Sequence, residues 1–178
     1  MTLPDFVVLL GMLERSPLKE GQKRFEQMAV ALRSFLAETF TVQEYEVSFF
    51  VIDKENNARF VLPTVLNKTS IPLYNSTVTR KVYESGAPML SNAASEVKRF
   101  SLYERMKDVP QKVLPIQKFM ALPVRSGGSA YGVLWVNRRA ERFEEAGADF
   151  TQAELDKATQ ILETIGPILH RSLDQPGD

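Results

Sequence analysis

Residues able to carry covalent or metal-dependent catalysis are scarce in this chain of 178 residues. The chain contains one histidine, His170, and no cysteine, so thiol nucleophiles, thiolate metal sites and cysteine-linked chromophores are excluded. A Ser–His triad would require His170 to reach a serine from the last predicted helix, and no spacing indicates such a pair. Acidic pairs such as Asp53 with Glu55 are typical of solvated turns. The sequence therefore predicts no catalytic group, no metal site and no cofactor.

A glycine-rich stretch, Ser126-Gly127-Gly128-Ser129, is the nearest match to a phosphate-binding loop. It joins two apolar runs, residues 119–124 and 131–137, and does not lead into a helix. It therefore lacks the helix N-terminus at which phosphate binds. Glycine adopts positive φ at little steric cost, so the stretch predicts the turn of a β-hairpin. Both strands are apolar almost throughout, which favours a buried position at the centre of a sheet.

Bulk composition is ordinary for a globular domain, with 44% hydrophobic and 25% charged residues. The 22 basic and 22 acidic side chains give a formal net charge of zero. This balance disfavours a nucleic-acid partner, because phosphate contacts need a concentrated basic patch. The apolar run at residues 6–13 is too short to span a bilayer, and Asp5 precedes it where a secretory signal would be basic. We therefore expect a cytoplasmic protein without a membrane partner.

Helical periodicity marks both ends of the chain. A short helix is predicted over residues 3–15, followed by an amphipathic helix over residues 18–39 with one buried face. Near the other end, Thr151 and Glu154 form a capping box. The helix that follows carries an apolar seam close to the coiled-coil period, formed by Leu155, Ala158, Leu162, Ile165 and Leu169. Gly166-Pro167 interrupts this helix and predicts a kink or an end there.

Strand patterns lie between these helices. Residues 46–52 and 59–66 predict an antiparallel hairpin, with Pro63 indicating an edge strand or a bulge. A short helix over residues 75–85 and a short strand over 88–91 follow. The polar connection over residues 92–115 is long for a compact domain, which is typical of a binding loop or a lid.

This order of elements resembles a GAF domain over residues 18–173. The matching stretches are residues 77–88, 119–124 and 131–137, together with Phe150 at the start of the last helix. The resemblance implies an α+β fold with a central six-stranded antiparallel sheet. It places the N- and C-terminal helices on one face and a small-molecule pocket, covered by a loop and a short helix, on the other. Residues 1–17 are then an N-terminal helical extension and residues 174–178 a flexible tail.

The resemblance also implies a regulatory sensor module that is often dimeric. Relatives that attach bilins or reduce methionine sulfoxide use cysteines, which this chain lacks, and His170 lies outside the expected position of a haem ligand. The cyclic-nucleotide pattern of the family is matched only in part, by Asn137-Arg138 and Phe150 with Glu154. Cyclic-nucleotide binding is therefore disfavoured, although Arg138 and Glu154 are predicted to form a charge pair.

Pocket residues follow from this resemblance combined with the strand pattern. The predicted helix start offers backbone N–H groups and hydroxyls, the end of the short strand offers polar groups, and the long connection and the central hairpin offer aromatic and apolar surfaces. The predicted ligand-binding residues are Tyr74, Ser76, Thr77, Ser91, Asn92, Phe100, Tyr103, Phe119, Ala121 and Trp135.

Two functions remain open at this point. The first is a non-enzymatic GAF-type sensory domain that binds an unidentified small molecule and signals through its terminal helices as a homodimer. The second is a purely structural dimerisation module with a pocket filled by side chains, and the seam from Leu155 to Leu169 would then be its interface. Both predict a homodimer formed through the first and last helices.

Overall fold

Six strands form one antiparallel sheet in the computed structural model, which describes residues 1–17, 23–73, 77–94 and 114–173. In chain order the strands are β1 (Val47–Ile52), β2 (Asn57–Leu62), β3 (Ser70–Pro72), β4 (Met89–Ser91), β5 (Ile116–Ser126) and β6 (Ser129–Arg139). Across the sheet the order is β3-β2-β1-β6-β5-β4, and every pair is antiparallel. The predicted central hairpin, β5 with β6, therefore lies inside the sheet.

Helices cover both faces of this sheet. They are α1 (Leu3–Arg15), α2 (Arg24–Phe40), α3 (Thr77–Ser85) and α4 (Gln152–Leu173). The predicted α+β class and the six-stranded antiparallel sheet are confirmed. The capping box of α4 is confirmed too, because the Thr151 N–H donates to Glu154 Oε2 at 2.7 Å and the Glu154 N–H donates to Thr151 Oγ1 at 3.2 Å.

Alternation along the central strands divides the core into two clusters. On one face Met120, Leu122 and Leu134 pack with apolar residues of α1, α2 and α4, which confirms that the terminal helices share a face. We call this the helix face. On the other, Phe119 and Val133 pack with residues of α3, and we call this the α3 face. Alternating side chains of β5 and β6 belong to opposite clusters, so both strands are buried on both sides.

The first helix contributes directly to the core on the helix face. Phe6 and Leu10 are fully buried, and the Phe6 ring stacks on Phe35 of α2 with centroids 4.3 Å apart. Stacked aromatic pairs add about 0.5–1.5 kcal/mol beyond the burial of their area. α1, interpreted from the sequence as an extension, thus shares one core with α2.

The apolar seam of α4 is also buried within its own chain. Leu155, Leu162 and Ile165 belong to the cluster on the helix face. Of the kink or end expected at Gly166-Pro167, the end is wrong, because α4 continues as a helix to Leu173. Gly166 is buried against the backbone of Arg125 in β5, and a Cβ there would overlap the Arg125 carbonyl oxygen. Glycine is therefore required by a close approach of helix to sheet, and it does not mark a break.

Two expectations about strands are corrected. Of the edge strand or bulge that Pro63 indicated, the edge strand is wrong, because β3 pairs outside β2, whereas the register shift between Phe49 and Phe50 agrees with a bulge. Strict alternation along β6 would place Tyr131 on the same face as Trp135, but Tyr131 packs with the cluster on the opposite face. The β5–β6 register shifts between Val124 and Arg125, which pair with Gly132 and Ala130, so Tyr131 is an extra residue. Such a bulge turns its side chain to the opposite face.

On the helix face, Tyr131 joins the sheet to α4. Its hydroxyl donates to the Gly166 carbonyl oxygen at 2.8 Å, and its ring meets the His170 ring with centroids 4.7 Å apart. Burial raises the pKa of the Tyr131 phenol well above its usual range, since the phenolate would lose solvation. Tyr131 therefore stays a neutral hydrogen-bond donor to α4.

Replacing Gly166 with alanine tests the close approach between α4 and β5. In an exposed helix, Gly→Ala stabilises by about 1 kcal/mol, because glycine loses more backbone entropy on folding. At position 166 the added methyl group meets the Arg125 carbonyl. We expect the free energy of unfolding, measured by urea denaturation, to fall by about 1–3 kcal/mol instead.

The matched control for this substitution is Glu163→Ala, at an exposed position of the same helix. Its effect on the free energy of unfolding should stay within about 0.5 kcal/mol. A Gly166→Ala variant as stable as the wild type, or more stable, would contradict the close packing of α4 on β5.

Candidate ligand-binding site

Three of the predicted pocket residues lie together on the α3 face. Phe119, Ala121 and Trp135 are all buried in the same apolar cluster. Ala121 and Trp135 are opposite each other in the β5–β6 pair, and the Phe119 and Trp135 ring centroids are 4.9 Å apart. The alternation from which the face was predicted holds here, because no bulge intervenes between residues 118 and 124.

Helix α3 is fixed above these residues. Val78 and Val82 pack into the cluster with Trp135, and the Trp135 indole Nε1–H donates to Thr79 Oγ1 at 3.2 Å. Thr79 is itself fully buried. The tryptophan therefore combines an apolar ring in the sheet with a polar contact to the helix.

Ser91 and Asn92, at the end of β4, have different environments. Ser91 is opposite Phe119 in the β4–β5 pair and so shares the α3 face, where its Oγ accepts the Ala93 N–H at 3.2 Å. The Asn92 amide instead pairs with the Phe150 backbone. Its Nδ2 donates to the Phe150 carbonyl at 2.9 Å and its Oδ1 accepts the Phe150 N–H at 2.8 Å. Asn92 thus ties the end of β4 to the segment that enters α4.

The remaining predicted residues cannot be placed by their side chains. Tyr74, Ser76, Phe100 and Tyr103 lie outside the described residues, as does most of the connection predicted to be a lid. Thr77 begins α3, but its side chain is outside the description. Their assignment to a pocket stays a prediction.

Four buried polar residues beside the apolar cluster of the α3 face were not predicted from the sequence. Glu46, Ser48, Asn137 and Arg139 are at most 6% exposed. The Arg139 backbone N–H donates to Glu46 Oε1 at 2.5 Å, and the Gln43 N–H donates to Glu46 Oε2 at 2.8 Å. These residues interrupt or end strands that are otherwise apolar, and Asn137 also belongs to the partial match with the family's cyclic-nucleotide pattern, but neither signal assigned them to the pocket.

The side chain of Arg139 makes two further contacts. Its Nη1 donates to the Leu114 carbonyl at 2.7 Å, and its Nε donates to Asn137 Oδ1 at 2.9 Å. Within the described part of the chain, Asn137 Nδ2 and Ser48 Oγ are buried without a hydrogen-bond partner. Leaving such a group unpaired typically costs about 1–3 kcal/mol.

The predicted charge pair between Arg138 and Glu154 is wrong. Arg138 donates from Nη1 to the Thr41 carbonyl at 3.0 Å and from Nη2 to the Phe40 carbonyl at 3.3 Å, at the end of α2. Its guanidinium also lies 4.6 Å from the centroid of the Phe150 ring. Glu154 is used in the α4 capping box. Arg138 binds the C-terminal carbonyls of α2, where the helix dipole favours a cation.

The described residues offer neither a metal-binding cluster nor a membrane-spanning helix. Among them, no group of three or more His, Asp or Glu side chains is placed to hold a metal ion. Within the same ranges, no helix is long and apolar enough to cross a membrane.

Comparisons with known proteins give structural matches only. No protein-family model matches the sequence, and no curated protein sequence matches it either. The GAF domain of an Acinetobacter phosphoenolpyruvate-protein phosphotransferase superposes with a TM-score of 0.67 at 16% identity, with 100% of each chain covered. The A. aeolicus nlh2 GAF domain, solved in an inactive state, gives a TM-score of 0.58 at 19% identity, covering 96% of this chain and 94% of that one.

An enzyme is also among the similar structures. Free methionine-R-sulfoxide reductase from Neisseria meningitidis, solved with its substrate, gives a TM-score of 0.60 at 14% identity, covering 97% of this chain and 86% of that one. At these identities the likeness shows the fold. The similar structures include GAF domains, and the reductase shows that the same fold also supports catalysis.

Substituting Asn92 tests its link between β4 and the start of α4. Asn92→Ala removes both hydrogen bonds to Phe150 and leaves its backbone groups without these partners. We expect the free energy of unfolding, measured in urea, to fall by about 1–3 kcal/mol. Asn92→Asp keeps an acceptor for the Phe150 N–H but loses the donor, so its effect should be smaller than that of alanine.

Asn67→Ala is the control, because Asn67 is a half-buried asparagine with no side-chain hydrogen bond among the described residues. If Asn92→Ala destabilised the protein no more than Asn67→Ala, the link through the Asn92 amide would be refuted.

Proposed function

We propose that this chain, whose fold is that of a GAF domain, is a non-enzymatic sensory domain that binds a small molecule on its α3 face. Binding there would alter the packing of the terminal helices on the helix face, and this change is the signal. A cytoplasmic location and a homodimeric state belong to the same proposal. The observation that carries it is the placement of Phe119, Ala121 and Trp135 together on the face that α1, α2 and α4 leave uncovered.

The contacts across the hairpin support signalling between the two faces. The Arg125 side chain donates from Nη2 to the Gly86 carbonyl oxygen, directly after α3. The backbone of the same residue packs against Gly166 of α4. A displacement of the C-terminal end of α3 would therefore act on a residue that contacts α4. For a ligand to shift this packing, its affinity must differ between the two arrangements.

The composition of the chain supports a binding role over an enzymatic one. It contains no cysteine to serve as a thiol nucleophile or as a redox-active group. Its only histidine, His170, packs against Tyr131 on the helix face, away from Phe119 and Trp135. Regulatory domains of this fold are thus better analogues for this chain than the reductase.

Ligand binding is testable through the single tryptophan, Trp135. A panel of nucleotides, nucleobases, amino acids, organic acids and sugars would be titrated while tryptophan fluorescence and the melting temperature are followed. We expect at least one compound class to change Trp135 fluorescence and to raise the melting temperature, because a ligand that binds only the folded state stabilises it. Native mass spectrometry of freshly purified protein would detect a retained ligand.

Two phenylalanine variants serve as a matched pair for this experiment. Phe119→Leu on the α3 face should weaken binding, whereas Phe35→Leu, equally buried but on the helix face, should leave the affinity unchanged. If no compound changes either signal and no small molecule is retained, the sensory function is refuted and the structural alternative is favoured.

The second candidate function is that of a dimerisation module, for which α1 provides a specific observation. Met1, Val8 and Met12 are 58%, 62% and 59% exposed, although they are apolar. Val8 and Met12 are four residues apart and so lie on the same side of α1. The seam of α4 is buried within its own chain, so α1 is the terminal helix that offers an apolar surface to a second copy.

Val8→Asp places a charge on this surface without disturbing the core, since Val8 is exposed. Light scattering should report a dimer for the wild type and a monomer for the variant, with unchanged helix content by circular dichroism. Lys81→Asp, at an exposed position on α3, is the control and should remain dimeric. A monomeric wild type, or a dimeric Val8→Asp protein, would contradict self-association through α1.

A further inference from the structure

Ser48 and Asn137 bring two unpaired polar atoms to the α3 face. Ser48 is opposite Trp135 in the β1–β6 pair, and Asn137 is opposite Phe119 in the β5–β6 pair. Directly opposed residues of antiparallel strands point to the same side, so both polar side chains lie beside the aromatic pair. They are 2% and 0% exposed, and Ser48 Oγ and Asn137 Nδ2 have no hydrogen-bond partner within the described ranges.

The orientation of the Asn137 amide is set by its neighbour. The Arg139 Nε–H donates to Asn137 Oδ1 at 2.9 Å, and a guanidinium has no acceptor, so the oxygen of the amide must face it. The NH2 group consequently points away from Arg139. The donor of Asn137 is thus presented in a fixed direction without a partner among the described residues.

We infer that Ser48 and Asn137 bind the polar edge of an uncharged, planar ligand that carries a carbonyl group. This inference rests on the proposed function and specifies its ligand. The carbonyl oxygen would accept a hydrogen bond from Asn137 Nδ2. The adjacent ring N–H would donate a hydrogen bond to Ser48 Oγ. Ser48 is diagonal to Asn137 across the strand pair, and diagonal neighbours are about 7–8 Å apart, which one small molecule can bridge.

The shape of the ligand follows from the aromatic residues on the same face. The rings of Phe119 and Trp135 are inclined by 39° with centroids 4.9 Å apart, and both are buried. A flat ring that packs against them buries apolar area while its polar edge reaches Ser48 and Asn137. Cyclic amides, the class that includes nucleobases, combine a flat ring with a carbonyl beside a ring nitrogen.

The absence of net charge on the ligand follows from the charges around the site. The guanidinium of Arg139 donates to Asn137 Oδ1 and to the Leu114 carbonyl, and the buried carboxylate of Glu46 accepts the backbone N–H of the same residue. The buried Lys118 points to the opposite side and is paired with Asp149 at 2.8 Å. An ionised ligand would lose its hydration without a dedicated counterion, a cost that a neutral molecule avoids.

The test uses three small probes and follows the fluorescence of Trp135 and the melting temperature. 2-Pyridone is the cyclic amide, indole is a flat ring without a carbonyl, and benzoate is a flat ring with a charge. We expect 2-pyridone to bind and to shift both signals, with indole and benzoate at least about tenfold weaker, as the loss of one buried hydrogen bond predicts. Hypoxanthine and uracil, titrated alongside, should follow 2-pyridone.

Ser48→Ala and Asn137→Asp test the two contacts. Asn137→Asp keeps an oxygen for Arg139 but replaces the donor by an acceptor, so 2-pyridone should bind at least about tenfold less tightly. Ser48→Ala should weaken binding similarly while leaving the melting temperature of the ligand-free protein unchanged or raised, because it removes an unpaired hydroxyl. Ser172→Ala is the control: this serine is also buried, but on the helix face, where its hydroxyl contacts Met28 Sδ at 3.1 Å.

The outcomes separate this inference from the function on which it rests. If benzoate or other acids bind and 2-pyridone does not, the ligand class is overturned while the sensory function stands. Equal affinity of 2-pyridone for the wild type and Ser48→Ala, or a lower melting temperature of ligand-free Ser48→Ala, overturns the role of Ser48. If none of the probes, the wider panel or the retained-ligand measurement gives a signal, both proposals fail together.

Discussion

The burial of the β5–β6 hairpin on both faces is the constraint on which the rest of the structure depends. Two adjacent strands that are apolar on both sides need a covering layer above and below. The terminal helices provide one layer and α3 contributes to the other. Backbone comes so close at Gly132 and Gly166 that a Cβ would overlap a carbonyl oxygen: Gly132 lies against Phe50 of the neighbouring strand β1, and Gly166 of α4 lies against Arg125 in β5. Both the fold and the separation of the helix face from the α3 face therefore follow from this hairpin.

Most of the fold could be predicted from local sequence patterns, because those patterns determine which side of an element is buried. The periodicity of Phe25, Met28 and Leu32 is sufficient to assign α2, and the two apolar runs around a glycine turn are sufficient to assign the hairpin. The errors arise where backbone geometry depends on tertiary contacts. Neither the bulge that turns Tyr131 nor the continuation of α4 through Gly166 is determined by the residues within one element.

The residues of the candidate site likewise fall into those that local pattern predicts and those that only tertiary contacts reveal. Phe119 and Ala121 were assigned to one face from alternation within β5, which needs no knowledge of the partner strand, whereas the β5–β6 register places Trp135 on that face. Ser48 and Asn137 were not assigned to the pocket, because a polar residue inside a strand usually faces solvent, and only the register places these two beside Trp135 and Phe119. Asn92 shows the reverse. Its sequence position favours a ligand contact, but the chain folds so that Phe150 satisfies both ends of its amide.

The two faces differ in how completely the chain satisfies its own polar groups. On the helix face Tyr131 binds Gly166 and Lys118 binds both Gly147 and Asp149. Arg33 Nε and Arg138 Nε are buried there without a partner among the described residues, but each guanidinium is held through another of its nitrogens, by Glu44 and by the end of α2. On the α3 face, two buried atoms lack a partner within the described residues. An added molecule gains most free energy where hydrogen-bonding capacity is unmet. The proposed ligand would therefore gain most on the α3 face, where the Ser48 hydroxyl has no partner at all among the described residues.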